Sequence, residues 1–126
     1  MARPQSAPLS PAESIAVIAS ALGGAAKGAR IDPSVEAVLP HLNLVALSAV
    51  GKTLARTPLS IACIKGVADP EVSDWRQLVL SIREPGEIGS EAWLATLDMA
   101  GRVMESAVEA HPDLSHDIVS QITFEV

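Results

Sequence analysis

The spacing of apolar residues changes at Pro58, and this change predicts the fold class. Before Pro58, apolar residues recur three and four positions apart, the spacing that places them on one face of a helix. After Pro58, apolar and polar residues alternate from Leu59 to about Val67, as in a strand with one buried face. A chain of this kind combines helices with a sheet, so the predicted class is α+β.

The N-terminal half carries the signals of two to three helices, all before residue 57. The pairs Ser-Pro at 10–11 and Asp-Pro at 32–33 each place a capping side chain before a proline at the first helical position. Glu13 stands where a capping box needs a glutamate. Residues 41–56 are apolar on nearly every side, and their length favours a buried helix over a strand.

The C-terminal half carries the signals of three strands and one long helix. Strands are predicted at 59–67 and 75–83, and their short polar connection favours an antiparallel hairpin. A helix is predicted at 91–110, followed by a last strand at 118–126 that lies parallel to a neighbour. The expected architecture is a small three-stranded mixed sheet, packed by the long helix and by the helices before residue 57.

The chain has the length and composition of a single domain. It has 126 residues. Residues 1–10 are predicted to form a flexible tail, and residues 11–126 are predicted to form one α+β domain. Hydrophobic residues make up 48% of the chain, which is enough to build a core. The only aromatic residues are Trp75, Trp93 and Phe124, so the core must consist mainly of leucine, isoleucine, valine and alanine.

Charge and cysteine content exclude several classes of protein. The formal net charge of −6 argues against nucleic-acid binding, because phosphates require a basic surface. The single cysteine, Cys63, excludes a disulfide within the chain and is expected to be a small core residue. No apolar stretch approaches the roughly 18 residues of a membrane-spanning helix. We therefore expect a bacterial cytoplasmic protein that binds neither nucleic acid nor membrane.

The densest group of polar residues lies between Glu109 and Asp117. His111, Asp113, His116 and Asp117 offer imidazole and carboxylate groups of the kind that bind zinc, manganese or iron. The two histidines are five positions apart, and ligands on one helix face are usually four apart, so only a loop could bring them together. One alternative is therefore a metal-dependent enzyme with a divalent ion at these four residues. The other is a helix end and a short turn without a metal.

No motif for catalysis or nucleotide binding is complete. The triplet 51–53, Gly-Lys-Thr, matches the end of a phosphate-binding loop, but Ala46 occupies the position of its first glycine. Gly51 is instead predicted to be a point of close packing inside a helix. The chain also lacks the Gly-x-Ser-x-Gly sequence that presents a catalytic serine, so no catalytic residue is assigned.

These observations favour a non-enzymatic protein-interaction module or small regulatory subunit. The apolar segment 42–50 and the strand at 78–82 carry more apolar residues than a small domain easily buries. An alternative is an acidic antitoxin or inhibitor of a basic partner protein, which fits the net charge of −6. We also expect a homodimer, formed through the sheet edge or the N-terminal helices.

Overall fold

The computed structural model describes residues 10–68, 71 and 76–126. Within these residues the chain forms five α-helices and four strands, and the strands make one sheet. The helices are α1 (Pro11–Leu22), α2 (Val35–Val38), α3 (Leu44–Leu54), α4 (Glu91–Ala110) and α5 (Ser115–Gln121). The strands are β1 (Arg30–Ile31), β2 (Ile61–Ala68), β3 (Arg76–Ile82) and β4 (Ile122–Glu125). The predicted α+β class is confirmed.

The sheet is mixed, with the strand order β1-β2-β3-β4. Strands β2 and β3 form the predicted antiparallel hairpin, and β4 lies parallel to β3 as expected. The expectation of three strands was wrong, because β1 pairs in parallel with β2. Strand β1 has two residues, which are too few to show an alternation in the sequence.

The C-terminal segment differs from its prediction. The strand predicted at 118–126 begins only at Ile122, because residues 115–121 form helix α5. Residues Asp117 and Gln121 lie one helical turn apart, and this spacing lets both side chains reach Asn43. Two earlier predictions fall partly outside the described residues: the flexible tail at 1–9, and Trp75 at the start of the second strand.

One face of the sheet forms the core with the helices. Ile64, Leu80 and Phe124 are register neighbours across β2, β3 and β4, and the first two are fully buried. The adjacent row brings Leu78 and Ile122 into the same core. Among the described residues the core is aliphatic apart from Phe124, which packs against its edge.

The opposite face carries polar side chains from all four strands. Register places Arg30, Cys63, Ser81 and Glu125 in one row. Cys63 is therefore half-buried on this face and does not belong to the core; its sulfur lies 3.7 Å from Nη2 of Arg30. The prediction of a core cysteine was wrong, because strand register and not residue polarity decides the face.

Helix α4 was expected to lie on the sheet, but it packs mainly against α3 and α5. Ala100, Val103 and Ala107 are its buried residues, so its contact surface is narrow. Leu97, on the apolar stripe of α4, keeps 45% of its surface exposed. Part of the apolar stripe of α4 therefore remains open beside β4.

The turn before α2 is held by hydrogen bonds around Ser34. The Ser34 backbone N–H donates to Oδ1 of Asp32 at 2.9 Å, and the Ser34 hydroxyl accepts from the N–H of Gly66 at 3.0 Å. Hydrogen bonds from the side chain and the backbone of Ser34 hold the pKa of Asp32 below its usual value. Their contribution to stability is present at neutral pH and is lost as the pH falls through the lowered pKa.

Replacing Ser14 with alanine is expected to stabilise the protein by about 1 kcal/mol. Ser14 is 1% exposed on α1, and its hydroxyl has no hydrogen-bond partner among the described residues. Removing a buried, unpaired hydroxyl removes its desolvation cost. Urea unfolding would measure the change, with Ser20→Ala on the exposed side of α1 as a control for helix propensity. A lower stability for Ser14→Ala would contradict the prediction.

Candidate functional site

An apolar groove lies between α1 and α3. It begins where the two helices pack through Ile18 and Leu22 on α1 and Leu47 and Val50 on α3. Neighbouring positions on both helices leave a space of about 550 Å³ above this contact. The groove is lined by Ala16, Val17, Ser20, Ala21, Leu44, Val45, Ser48, Ala49, Lys52 and His111. We refer to it as the α1–α3 groove.

The groove exists because half of its ten lining residues are alanine or serine. On α1, Ala16 and Ser20 lie one turn apart, and on α3 Val45 and Ala49 do the same. Alanine and serine side chains are too short to fill the space beside two crossing helices. The floor of the groove therefore lies close to the two helix backbones.

Two large apolar residues of α3 point away from the core. Leu44 is 39% exposed and Val45 is 63% exposed, although both belong to the segment that is apolar on nearly every side. They occupy the first turn of α3, directly after the N-cap residue Asn43. The cap sets where the helix begins and so sets which of its apolar residues face outward.

A polar network anchors this end of α3 to α5. The Asn43 side-chain oxygen accepts from the N–H groups of Val45 and Ala46 at 3.0 and 3.3 Å, which caps α3. The Asn43 amide donates to Oδ2 of Asp117 at 2.8 Å. The Asn43 backbone N–H donates to Oε1 of Gln121 at 2.7 Å. The network makes the exposed first turn of α3 a fixed part of the groove.

Two lining residues of the groove are ionisable, Lys52 and His111. Lys52 lies on the exposed side of α3 and makes no ion pair among the described residues. His111 is the C-cap residue of α4 and completes the lining. The groove is thus apolar along its floor and carries the Lys52 ammonium group at its side.

The four predicted metal ligands do not form one cluster. His111 lines the groove, Asp117 is bonded to Asn43 and Gln121, and Asp113 and His116 are exposed. Among the described residues, no group of three or more histidine, cysteine, aspartate or glutamate side chains could hold a metal ion. The described residues therefore contain no assembled ligand set of the kind that a metal-dependent enzyme would need.

Sequence reasoning anticipated one wall of the groove and missed the other. The sequence shows that segment 42–50 is more apolar than a small domain easily buries. In the structure Leu44 and Val45 are the exposed apolar residues of this segment. Apart from Val17, the α1 side is made of alanine and serine, and these residues carry no signal of a surface in the sequence. Their role depends on α3 packing beside them.

A second, smaller apolar groove of about 250 Å³ lies between α4, α5 and β4. It is lined by Leu97, Ala100, Gly101, Met104, Val119, Ile122, Thr123, Phe124 and Val126. We refer to it as the α4–β4 groove. All of these lining side chains are uncharged.

The class that the fold and its surfaces define is an α+β domain with helix-lined apolar grooves. No family model, curated protein or solved structure matches the chain in comparisons with known proteins. Among the described residues, no single helix is long and apolar enough to cross a membrane. The segments Val35–His41 and Leu44–Leu54 pass that test only as a pair, by length and composition, with a bend of 112° between them.

Proposed function

We propose that this protein is a non-enzymatic interaction module, a small regulatory subunit that binds a helix of a partner protein in the α1–α3 groove. The observation that carries the proposal is the combination of an apolar floor of small residues with the exposed Leu44 and Val45. Apolar grooves between helices are a common way to bind an amphipathic helix.

The exposure of the groove wall favours a helix over a small molecule. Pockets for small ligands enclose most of the ligand surface, whereas Val45 in the groove wall is mostly open to solvent. A helix needs only a shallow channel whose floor lets its backbone approach, and Ala16 and Ala49 provide such a floor. A second copy of the chain fits less well, because two concave surfaces placed face to face leave a gap.

Charge adds a condition on the partner helix. Lys52 beside the apolar floor would attract a carboxylate at the edge of the apolar stripe of the partner helix. Such a pair is exposed at the rim and contributes mainly to orientation. Burial of the apolar stripe supplies most of the affinity.

The alternative of an acidic inhibitor predicts a different response to salt. Long-range attraction between the net charge of −6 and a basic partner is screened by salt, so binding weakens as ionic strength rises. Docking in the α1–α3 groove buries apolar surface, and its affinity changes little with salt. The bacterial cytoplasmic setting also stays a prediction from the sequence.

Selection from a displayed library of amphipathic helices of about 15 residues would test the proposal. We expect binders with micromolar affinity whose stripe contains a carboxylate. Replacing Val45 with glutamate should weaken these binders by about tenfold or more, because it places a charge in the apolar groove. Val119→Glu is a matched control, since Val119 is 64% exposed, compared with 63% for Val45, and lies outside this groove.

Two results would contradict the proposal. One is a library that yields no helix bound by the wild-type protein. The other is a set of binders whose affinities are equally affected, or equally unaffected, by Val45→Glu and Val119→Glu. Circular dichroism of both variants would establish that they keep the fold.

A further inference from the structure

The two edges of the sheet are protected to different extents. An edge strand exposes unpaired backbone groups, and proteins usually guard it with charge, proline or shortness. Strand β1 has only two residues, one of which is Arg30, and Pro33 follows closely. Strand β4 has four residues, contains no proline or basic residue, and has no strand on its outer side among the described residues.

The one charged side chain of β4, Glu125, points away from this edge and over the face of the sheet. Glu125 accepts a hydrogen bond from the Ser81 hydroxyl at 3.1 Å and forms an ion pair with Lys65 at 3.3 Å. Ser81 lies on β3 and Lys65 on β2, so the carboxylate is held over the sheet face. The Lys65 ammonium group balances the charge of this carboxylate. The carboxylate therefore does not protect the β4 edge against pairing with another strand.

The α4–β4 groove lies beside the same edge and extends the apolar surface onto the helices. Its wall includes Leu97, which is 45% exposed, and Val119, which is 64% exposed. An unpaired strand edge and a neighbouring uncharged groove form one continuous surface.

We propose that β4 pairs with β4 of a second copy, so that two chains form a closed dimer with one continuous sheet. This inference does not depend on the α1–α3 groove. Two identical strands related by a two-fold axis pair in antiparallel fashion, and each satisfies the free backbone groups of the other. An axis perpendicular to the sheet keeps both helical layers on the same side, so the two α4–β4 grooves flank the axis.

Symmetry favours a second copy over an unrelated peptide strand, because every copy presents the same unpaired β4 edge beside the same groove. Chains that each carry a net charge of −6 repel one another, and they tolerate contact best where the surface is uncharged, as in the α4–β4 groove. Pairing of β4 with β4 uses one edge of each chain. The remaining edges are the short, charged β1 strands, so the assembly stops at two copies and does not grow into a fibre.

Analytical ultracentrifugation of the wild-type protein should show a species of twice the 13.1 kDa chain mass. Replacing Val119 with glutamate should weaken dimerisation by about 100-fold, because each two-fold contact places two carboxylates against apolar surface. Val45→Glu is the matched control, and it should leave the dimerisation constant within about twofold of wild type. Because each of these two variants is expected to affect one surface, failure of this proposal is distinguishable from failure of the helix-binding proposal.

Hydrogen exchange on the wild-type chain gives a readout that requires no variant. We expect the outward-facing β4 amides to become more protected as the protein concentration rises, while amides of β1 stay unchanged. A monomer at all accessible concentrations would overturn the proposal. So would a dimer that persists in Val119→Glu without concentration-dependent protection of β4, because it would use another face.

Discussion

Replacing Gly66 with alanine is expected to lower the free energy of unfolding by about 3 kcal/mol. Gly66 lies on β2 directly beneath α2. A Cβ atom at this position would lie 2.5 Å from the carbonyl oxygen of Ser34 and 2.8 Å from Cγ2 of Val38. The Ser34 oxygen belongs to the backbone, so relief requires moving α2 away from the sheet. That movement would also stretch the hydrogen bond from Gly66 to the Ser34 hydroxyl.

Urea unfolding of Gly66→Ala and of Gly101→Ala would test this prediction. Gly101 lies on the exposed side of α4, and an added Cβ there would have no heavy atom within 4 Å. Gly101→Ala should therefore stabilise the protein by up to about 1 kcal/mol through helix propensity. Equal effects of the two substitutions would show that α2 does not pack on Gly66 as described.

The second large effect is expected at Gly51, where α3 crosses the end of α1. A Cβ atom at Gly51 would lie 2.8 Å from the carbonyl oxygen and 3.0 Å from Cα of Leu22. Alanine would gain about 1 kcal/mol in helix propensity, but the contact with backbone atoms of Leu22 costs more. We expect Gly51→Ala to destabilise the protein by about 2 kcal/mol net. This close contact confirms the prediction that Gly51 is a packing point within a helix.

The same substitution should also disturb the α1–α3 groove, because the crossing at Gly51 sets the separation of the two helices. Helices selected on the wild-type protein are expected to bind Gly51→Ala more weakly, while Gly101→Ala binds them normally. Thermal unfolding and binding measured on the same preparations would separate the two effects. A stabilised Gly51→Ala variant with unchanged binding would contradict the prediction.

Elements that depend on neighbouring residues were predictable from the sequence. The capping box of Ser10 and Glu13 begins α1, and Ser90 caps α4, which spans the predicted residues 91–110. The β2–β3 hairpin follows from alternation and a short connection. In each case the deciding interactions lie within a few positions along the chain.

Elements that depend on distant residues were not predictable. Strand β1 exists because β2 offers it a partner, and two residues alone have no strand preference. The alternation of residues 122–126 led to a strand predicted from residue 118, yet the hydrogen bonds that Asn43 donates to Asp117 and Gln121 require a helical spacing before Ile122. Tertiary contacts here override the local pattern.

The sequence by itself determined the α+β class, the bounds of the long helix, the hairpin and the aliphatic character of the core, because capping, periodicity and composition act locally. Only the tertiary structure decided which surfaces stay open. Ala16 and Ser48 come to line one groove when α1 packs on α3, and Glu125 is held over the sheet face by an ion pair with Lys65 on another strand. The physical reason is that a surface is formed by residues that are close in space, and the chain brings them together only when its core has packed.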